Sequence, residues 1–86
     1  MPTVVLIHDV DDVDRWLAAP TRDAVFGPAG ITHRTFVDPA NPNRVGLIVE
    51  VPDMETFQEL MGSAAAAEAM KADGVRPATL ITLVEG

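Results

Sequence analysis

Cysteine is missing from this 86-residue chain, and basic residues are scarce. Without cysteine there can be no disulfide bond, no thiolate nucleophile and no cysteine-based metal site. Six Lys and Arg residues face 13 Asp and Glu residues, which gives a formal net charge of −7, and the basic residues are scattered along the chain. Nucleic acids and anionic membrane surfaces are bound through clustered cations. We therefore expect neither a nucleic acid nor a membrane as a partner.

Long apolar runs are also missing, since no stretch approaches the roughly 20 apolar residues of a membrane-spanning helix. The first residues, MPTVVLIHD, contain neither a positively charged segment nor the cleavage signature of a secretory signal. These features favour a cytoplasmic location. Hydrophobic residues nevertheless make up 48% of the chain against 22% charged, a balance typical of globular proteins. We expect residues 1–86 to form a single domain, and self-association would stabilise a domain this small.

Short apolar runs and alternating patterns predict four strands. β-Branched residues dominate the runs at residues 3–8 and 78–85, which are too brief for helices. Residues 30–51 contain two alternating segments around a loop rich in proline and asparagine, which predicts a hairpin.

The segment between the first strand and the hairpin predicts a broken helix. Val13, Trp16 and Leu17 are spaced to form one apolar helical face. Pro20 cannot continue a regular helix, so it ends or kinks this one, and a further helical turn is expected at residues 21–26.

A second broken helix is predicted after the hairpin. Asp53 is placed to cap its start, Ser63 can cap a continuation, and Gly74 is a left-handed residue that ends it. The element order is thus β-α-β-β-α-β. With right-handed crossovers it corresponds to a ferredoxin-like α+β fold, with antiparallel strands in the order 4-1-3-2 and the helices on one face.

Both faces of the predicted sheet are apolar. On the first strand Val4 and Leu6 alternate with Val5 and Ile7. Because the helices can cover only one face, the other would expose an apolar patch larger than is usual for a monomer. A second copy of the same sheet is the simplest cover, so we expect a homodimer.

Two stretches resemble a known family. The passage VEVPDMETFQ entering the second helix and its continuation GSAAAAEAM look like the dimeric α+β barrel superfamily. This group includes antibiotic-biosynthesis-monooxygenase-like proteins, muconolactone isomerases and stress-responsive barrel proteins. The resemblance implies a homodimer whose two sheets close into a barrel. It also implies a small apolar pocket between each sheet and its helices or inside the barrel.

The residues and the resemblance together leave three functional expectations. The first is the binding of a small apolar or aromatic molecule; the second is a cofactor-independent monooxygenase or isomerase; the third is a purely structural association domain. Haem-degrading relatives hold the iron with a histidine on the second helix, and residues 53–73 contain no histidine. No cofactor is therefore expected.

The hairpin carries the candidate catalytic residues. If Asp38 pairs with Arg44 across the loop, Arg34 and Glu50 become diagonal neighbours on the face that points into the dimer. A carboxylate base beside an anion-binding arginine could remove a proton next to a carbonyl. The alternative role is a salt bridge that orients the dimer. A one-residue slip in the pairing would turn His33 inward instead, so His33 is also a candidate.

Four further residues are predicted to contact a ligand, and no metal site is expected. Trp16 either anchors the first helix or forms a pocket wall. His8 and His33 are expected to lie too far apart to share a metal. The acids at residues 9–14 lack the glycine and glutamate of a calcium loop, so helix capping explains them better. The predicted ligand-contacting residues are Trp16, Phe36, Arg44 and Ile48.

Overall fold

The computed structural model describes residues 2–86, and within this range the chain folds as an antiparallel sheet covered by short helices. The strands and longer helices are β1 (Thr3–Val10), α1 (Val13–Ala18), α2 (Thr21–Phe26), β2 (Thr32–Val37), β3 (Arg44–Glu50), α3 (Met54–Met61), α4 (Ala64–Ala72) and β4 (Val75–Val84). The sheet order is β2-β3-β1-β4, which confirms the predicted arrangement and the α+β class.

The central strand β1 continues two residues beyond the predicted end at His8. Asp9 pairs with Arg44 on one side and Arg76 on the other, and Val10 pairs with Val75. Every second side chain of β1 is buried, namely Val4, Leu6, His8 and Val10. His8 therefore lies in the interior of the helix-covered face, whereas the sequence predicted it as the last residue of the strand.

Pro20 separates α1 from α2, as predicted. Ala19 adopts an extended conformation, with φ −68° and ψ 129°, because a residue before proline is pushed away from helical geometry. Trp16 is buried at 1% exposure, but Leu17 is 44% exposed. The expectation that Leu17 joins the apolar face is wrong. Helix α1 spans only six residues, and Trp16 is the side chain that it buries in the core.

Local capping defines α3 and α4. The Asp53 carboxylate accepts a hydrogen bond of 2.7 Å from the Thr56 N–H, and the Ser63 hydroxyl accepts one of 3.2 Å from the Ala66 N–H. Gly74 follows α4 with φ 74°, the left-handed conformation that glycine adopts without steric cost. The predicted caps Asp53 and Ser63 and the predicted left-handed glycine Gly74 are confirmed.

Strand β4 begins at Val75, earlier than predicted, because it contains a bulge. Its register against β1 shifts so that Ile7 pairs with Ile81 but Asp9 pairs with Arg76. The Thr79 hydroxyl bridges the break, since it accepts a 2.8 Å hydrogen bond from the Asp9 N–H and donates a 2.6 Å one to the Arg76 carbonyl. Bulges of this kind tolerate the proline at position 77, which has no N–H to contribute.

The two faces of the sheet differ in cover. Valine and leucine side chains of β1 and β3 pack beneath Trp16, Phe26 and Phe57 of the helices. On the opposite face, Ile81 and Leu83 are each 52% exposed. The predicted apolar open face is thus present. Across residues 2–86, no helix has the length and apolar content needed to cross a membrane.

Candidate functional site

Four side chains from different elements converge beneath the helices. His8 comes from β1, Trp16 from α1, Arg22 from α2 and Asp73 from the residue that ends α4. All four are buried. A histidine, an arginine and a carboxylate are unusual in an apolar interior, because buried polar groups must find partners there.

His8 lies on the buried face of β1, where the other side chains of that strand are aliphatic. It is 4% exposed, and its ring meets the Trp16 ring edge-on at 5.6 Å between centroids. Nδ1 is buried without a hydrogen-bond partner in residues 2–86. Burial lowers the pKa of His8, the nearby Arg22 charge lowers it further, and Asp9 acts in the opposite direction. The ring is consequently neutral near pH 7.

Arg22 is buried against the indole of Trp16. Its guanidinium carbon lies 4.2 Å from the centre of that ring, a cation–π arrangement. Nη1 lies 3.8 Å from Asp73 Oδ2, close enough for an ion pair but too far for a hydrogen bond. Nε and Nη1 have no hydrogen-bond partner in the described chain. Burial lowers the pKa of Arg22, and Asp73 and Asp23 counteract it, while a guanidinium keeps its charge in proteins.

Asp73 balances the charge of Arg22. Its carboxylate is 6% exposed, and Oδ1 accepts a 2.8 Å hydrogen bond from the Thr21 hydroxyl. Thr21 and Arg22 are consecutive in α2, so one helical turn both orients the carboxylate and supplies the cation. The cluster of His8, Arg22 and Asp73 therefore carries no net charge when His8 is neutral.

A cavity of about 50 Å³ lies beside this cluster. It is lined on one side by His8, Arg22 and Asp73 and elsewhere by apolar side chains. A volume of this size holds one or two water molecules or the polar head of a ligand. The apolar lining consists of Leu6, Trp16, Val25, Phe26, Leu47, Met61, Ala66, Ala69, Met70, Val75 and Leu80.

The predicted hairpin register is correct, and it places Arg34 and Glu50 on the open face. Thr32 pairs with Glu50, and Arg34 pairs with Ile48. These four residues line a depression together with His33. Within residues 2–86, neither Arg34 nor Glu50 takes part in an ion pair with another side chain.

His33 points to the opposite face from Arg34 and Glu50. Its ring lies 5.7 Å from that of Phe26, and Nε2 lies 3.6 Å from the Asp23 carboxylate. The side chain is 18% exposed. His33 lines the same depression as Arg34 and Glu50, but its ring faces Phe26 on the covered side. The three candidate catalytic residues therefore do not share one face of the sheet, and their catalytic roles stay predictions.

The four predicted ligand-contacting residues are also divided. Trp16 lines the buried cavity. Ile48 and Phe36 belong to the open face, where the guanidinium carbon of Arg34 lies 5.8 Å from the Phe36 ring centre. Arg44 is near the hairpin loop, with Nε 3.9 Å from Asp9. No group of three His, Asp or Glu side chains within the described chain is arranged to hold a metal ion.

Sequence reasoning missed the buried cluster. The alternation of Val4, Leu6, His8 and Val10 contains one usable signal, because it places a histidine on the buried face of a central strand. Arg22 and Asp73 gave no comparable signal, since each follows an ordinary helical pattern. Their partnership exists only because α2 packs against the end of α4.

Comparison with known proteins shows the fold. A scan against models of protein families and a search of curated proteins find no match. Among solved structures, an antibiotic biosynthesis monooxygenase superimposes with a TM-score of 0.67 at 13% identity, covering 100% of this chain and 97% of that one. A variant of SnoaB, a cofactor-independent oxygenase from Streptomyces nogalater, gives a TM-score of 0.63 at 16% identity, covering 98% and 87%.

A third similar structure is Rv0793 from Mycobacterium tuberculosis, with a TM-score of 0.61 at 14% identity, covering 100% of this chain and 94% of that one. At identities this low the likeness is one of fold. It confirms the predicted ferredoxin-like α+β fold.

Proposed function

We propose that this chain binds a small, mainly apolar molecule in the cavity between the helices and the sheet. The observation that carries this proposal is an apolar cavity beside buried nitrogens that have no hydrogen-bond partner in residues 2–86, namely His8 Nδ1 and Arg22 Nε and Nη1. Small-molecule sites typically combine apolar walls with a few polar groups that fix orientation. Native interiors rarely leave several such groups unpaired without a role for them.

The walls can admit a ligand larger than the cavity of about 50 Å³. Met61 and Met70 line it, and the unbranched thioether side chain of methionine changes shape readily. Ala66 and Ala69 contribute little bulk on the α4 side. The polar end then holds the head of the ligand, while its apolar body takes the place of the methionine side chains.

A fragment screen with a cavity-filling variant tests this proposal. Small aromatic amides, ketones and phenols are titrated into the protein while backbone amide shifts and the melting temperature are followed. Ala69→Leu fills the cavity from α4 and should abolish binding. Ala67→Leu, an exposed position on the same helix, should leave it intact.

The proposal fails if no fragment binds, or if Ala69→Leu binds as well as the unmodified chain while remaining folded by circular dichroism. A protein that binds nothing would favour the third expectation, a purely structural association domain.

The protein is further proposed to act as a homodimer joined through the open face of its sheet. Support comes from the exposed apolar side chains Phe36, Ile81 and Leu83, which water would otherwise solvate. Light scattering at micromolar concentration should give twice the mass of the 9.2 kDa chain. A mass of one chain would contradict this part of the proposal.

A cofactor-independent monooxygenase or isomerase is the second candidate. His8 favours it, because a neutral buried imidazole can accept a proton from an acidic C–H or O–H group while the Arg22 cation stabilises the resulting oxyanion. The fold shared with SnoaB is compatible with such chemistry.

Oxygen consumption with phenolic and 1,3-dicarbonyl compounds, without added metal or cofactor, tests the enzyme candidate. His8→Gln should abolish turnover if the buried cluster is the site. Loss of turnover in His33→Ala or Glu50→Gln, with His8→Gln unaffected, would instead favour the hairpin residues. No oxygen consumption and no isomerised product from any compound would count against catalysis.

A further inference from the structure

We propose that Asp73 determines the ligand specificity of the cavity, so that it selects neutral carbonyl compounds over carboxylates. This inference rests on the proposed function, because it names the class of molecule that the same cavity would take. Without Asp73, Arg22 would be expected to have the opposite ligand preference. A buried arginine with unpartnered N–H groups would ordinarily favour an anion.

The position of Asp73 is fixed by its contacts. Oδ1 accepts the 2.8 Å hydrogen bond from the Thr21 hydroxyl, and Oδ2 faces Arg22 Nη1 at 3.8 Å. The carboxylate is almost fully buried at the end of α4. Because Thr21 precedes Arg22 directly in α2, the carboxylate cannot leave the cation without also breaking its hydrogen bond.

This arrangement leaves Arg22 electrically balanced but short of hydrogen-bond acceptors. The Asp73 carboxylate is close enough to neutralise the guanidinium, yet no acceptor in residues 2–86 satisfies Nε or Nη1. A ligand can therefore contribute an acceptor oxygen without contributing charge. A carbonyl oxygen meets that requirement.

A carboxylate ligand would leave a net negative charge in the cavity. Within the described chain, Arg22 is the one cation among the cavity-lining residues, and the Asp73 carboxylate already balances its charge. His8 does not compensate, because it is neutral near pH 7. Burying an uncompensated charge is strongly unfavourable, so the anion should bind more weakly than its neutral isostere.

Benzamide and benzoate form a suitable probe pair, because they have nearly the same shape and differ in charge. Dissociation constants are measured by amide-shift titration at neutral pH. The unmodified protein should bind benzamide at least about tenfold more tightly than benzoate. In Asp73→Asn, which frees the charge of Arg22, the preference should reverse.

Two variants separate charge balance from other effects of substitution. Arg22→Gln combined with Asp73→Asn removes both charges, so it should again prefer benzamide. Asp14→Asn makes the same chemical change at an exposed site on α1 and should behave like the unmodified protein. If Asp73→Asn is unfolded alone, benzoate should restore its fold, followed by circular dichroism, at lower concentration than benzamide.

Equal or tighter binding of benzoate by the unmodified protein would overturn the inference while leaving the proposed function standing. The same holds if folded Asp73→Asn keeps its preference for benzamide, or if benzoate restores the unfolded variant no better than benzamide does. Failure of both probes and of the wider fragment panel to bind the unmodified protein would overturn the proposed function and this inference together.

Discussion

The two faces of the sheet share the same backbone but have different surroundings. On the covered face, Leu6, Leu47 and Val49 are buried in a closed core that surrounds one polar cluster. On the open face, aliphatic side chains of β4 remain about half exposed, and Arg34 and Glu50 stand without an ion-pair partner in the described chain. The covered face is packed within one chain, whereas the open face carries the proposed dimer interface. The stability of the single chain should therefore depend on the covered face, and dimerisation on the open face.

Neighbouring residues of β3 provide the strongest test of this difference. Leu47 is buried at 4% exposure, while Ile48 points to the open face and is half-buried. Leu47→Ala should lower the free energy of unfolding by about 2–5 kcal/mol, because it leaves a cavity in the core. Ile48→Ala should have a smaller effect, which grows with protein concentration because it acts through the dimer. Urea unfolding at two protein concentrations measures both.

Equal, concentration-independent losses in the two β3 variants would show that the open face is as much a part of the single-chain core as the covered one.

Two leucines of similar exposure sharpen the comparison. Leu83 lies on the open face at 52% exposure, and Leu17 lies on α1 at 44%. Leu83→Glu should weaken the dimer at least about a hundredfold, since twofold symmetry places the carboxylate twice in an apolar interface. Leu17→Glu should leave the mass unchanged. Sedimentation equilibrium distinguishes the outcomes, and a dimer that persists in Leu83→Glu would place the interface elsewhere.

Acidification should destabilise the covered face through His8. Burial keeps the pKa of His8 below its unfolded value of about 6.5, so the unfolded chain binds more protons below that pH. The stabilisation is present above about pH 6.5 and is lost as the pH falls through the lower, folded pKa. The slope contributed by this one group is at most about 1.4 kcal/mol per pH unit.

Unfolding free energies between about pH 5.5 and 7.5 reveal this slope, in a range above most carboxylate titration. His8→Gln should flatten it. An unchanged slope in His8→Gln would assign the pH dependence to other groups.

The smallest expected effect concerns the start of α4. Ser63→Ala removes the hydroxyl that accepts from the Ala66 N–H, and should cost about 1 kcal/mol of stability. Ser63→Asn should recover most of it, because an asparagine side chain also caps. Neither variant should alter the dimer mass. Thermal unfolding and light scattering together check both statements, and a shift in mass would link the covering helices to association.

Local features of the fold were predictable from the sequence because their causes are local. The hairpin register follows from the loop length and from alternation, which a one-residue slip would reverse. Asp53 and Ser63 cap helices through N–H groups three residues away. The exposed apolar face of the sheet was also predictable, because it required only the alternation of apolar residues on both faces of each strand.

The candidate site was not predictable in the same way. Asp73 is 51 positions along the chain from Arg22, and only the packing of α2 against α4 brings the two charges together. The bulge at Thr79 lets Val75 and Arg76 pair near the end of β1, and this extends the strand beyond His8. The alternation along β1 indicates which face His8 lies on, but its interior position also depends on this extension of the strand past it.

The alternation along β1 places neighbouring side chains on opposite faces of the sheet, where they meet different surroundings. Ile7 and His8 are adjacent in the chain, yet one faces the proposed partner and the other faces the cavity. A substitution at an odd-numbered position of β1 would change the proposed dimer interface, and one at an even-numbered position would change the proposed ligand cavity. A lineage could thus revise either property while preserving the other.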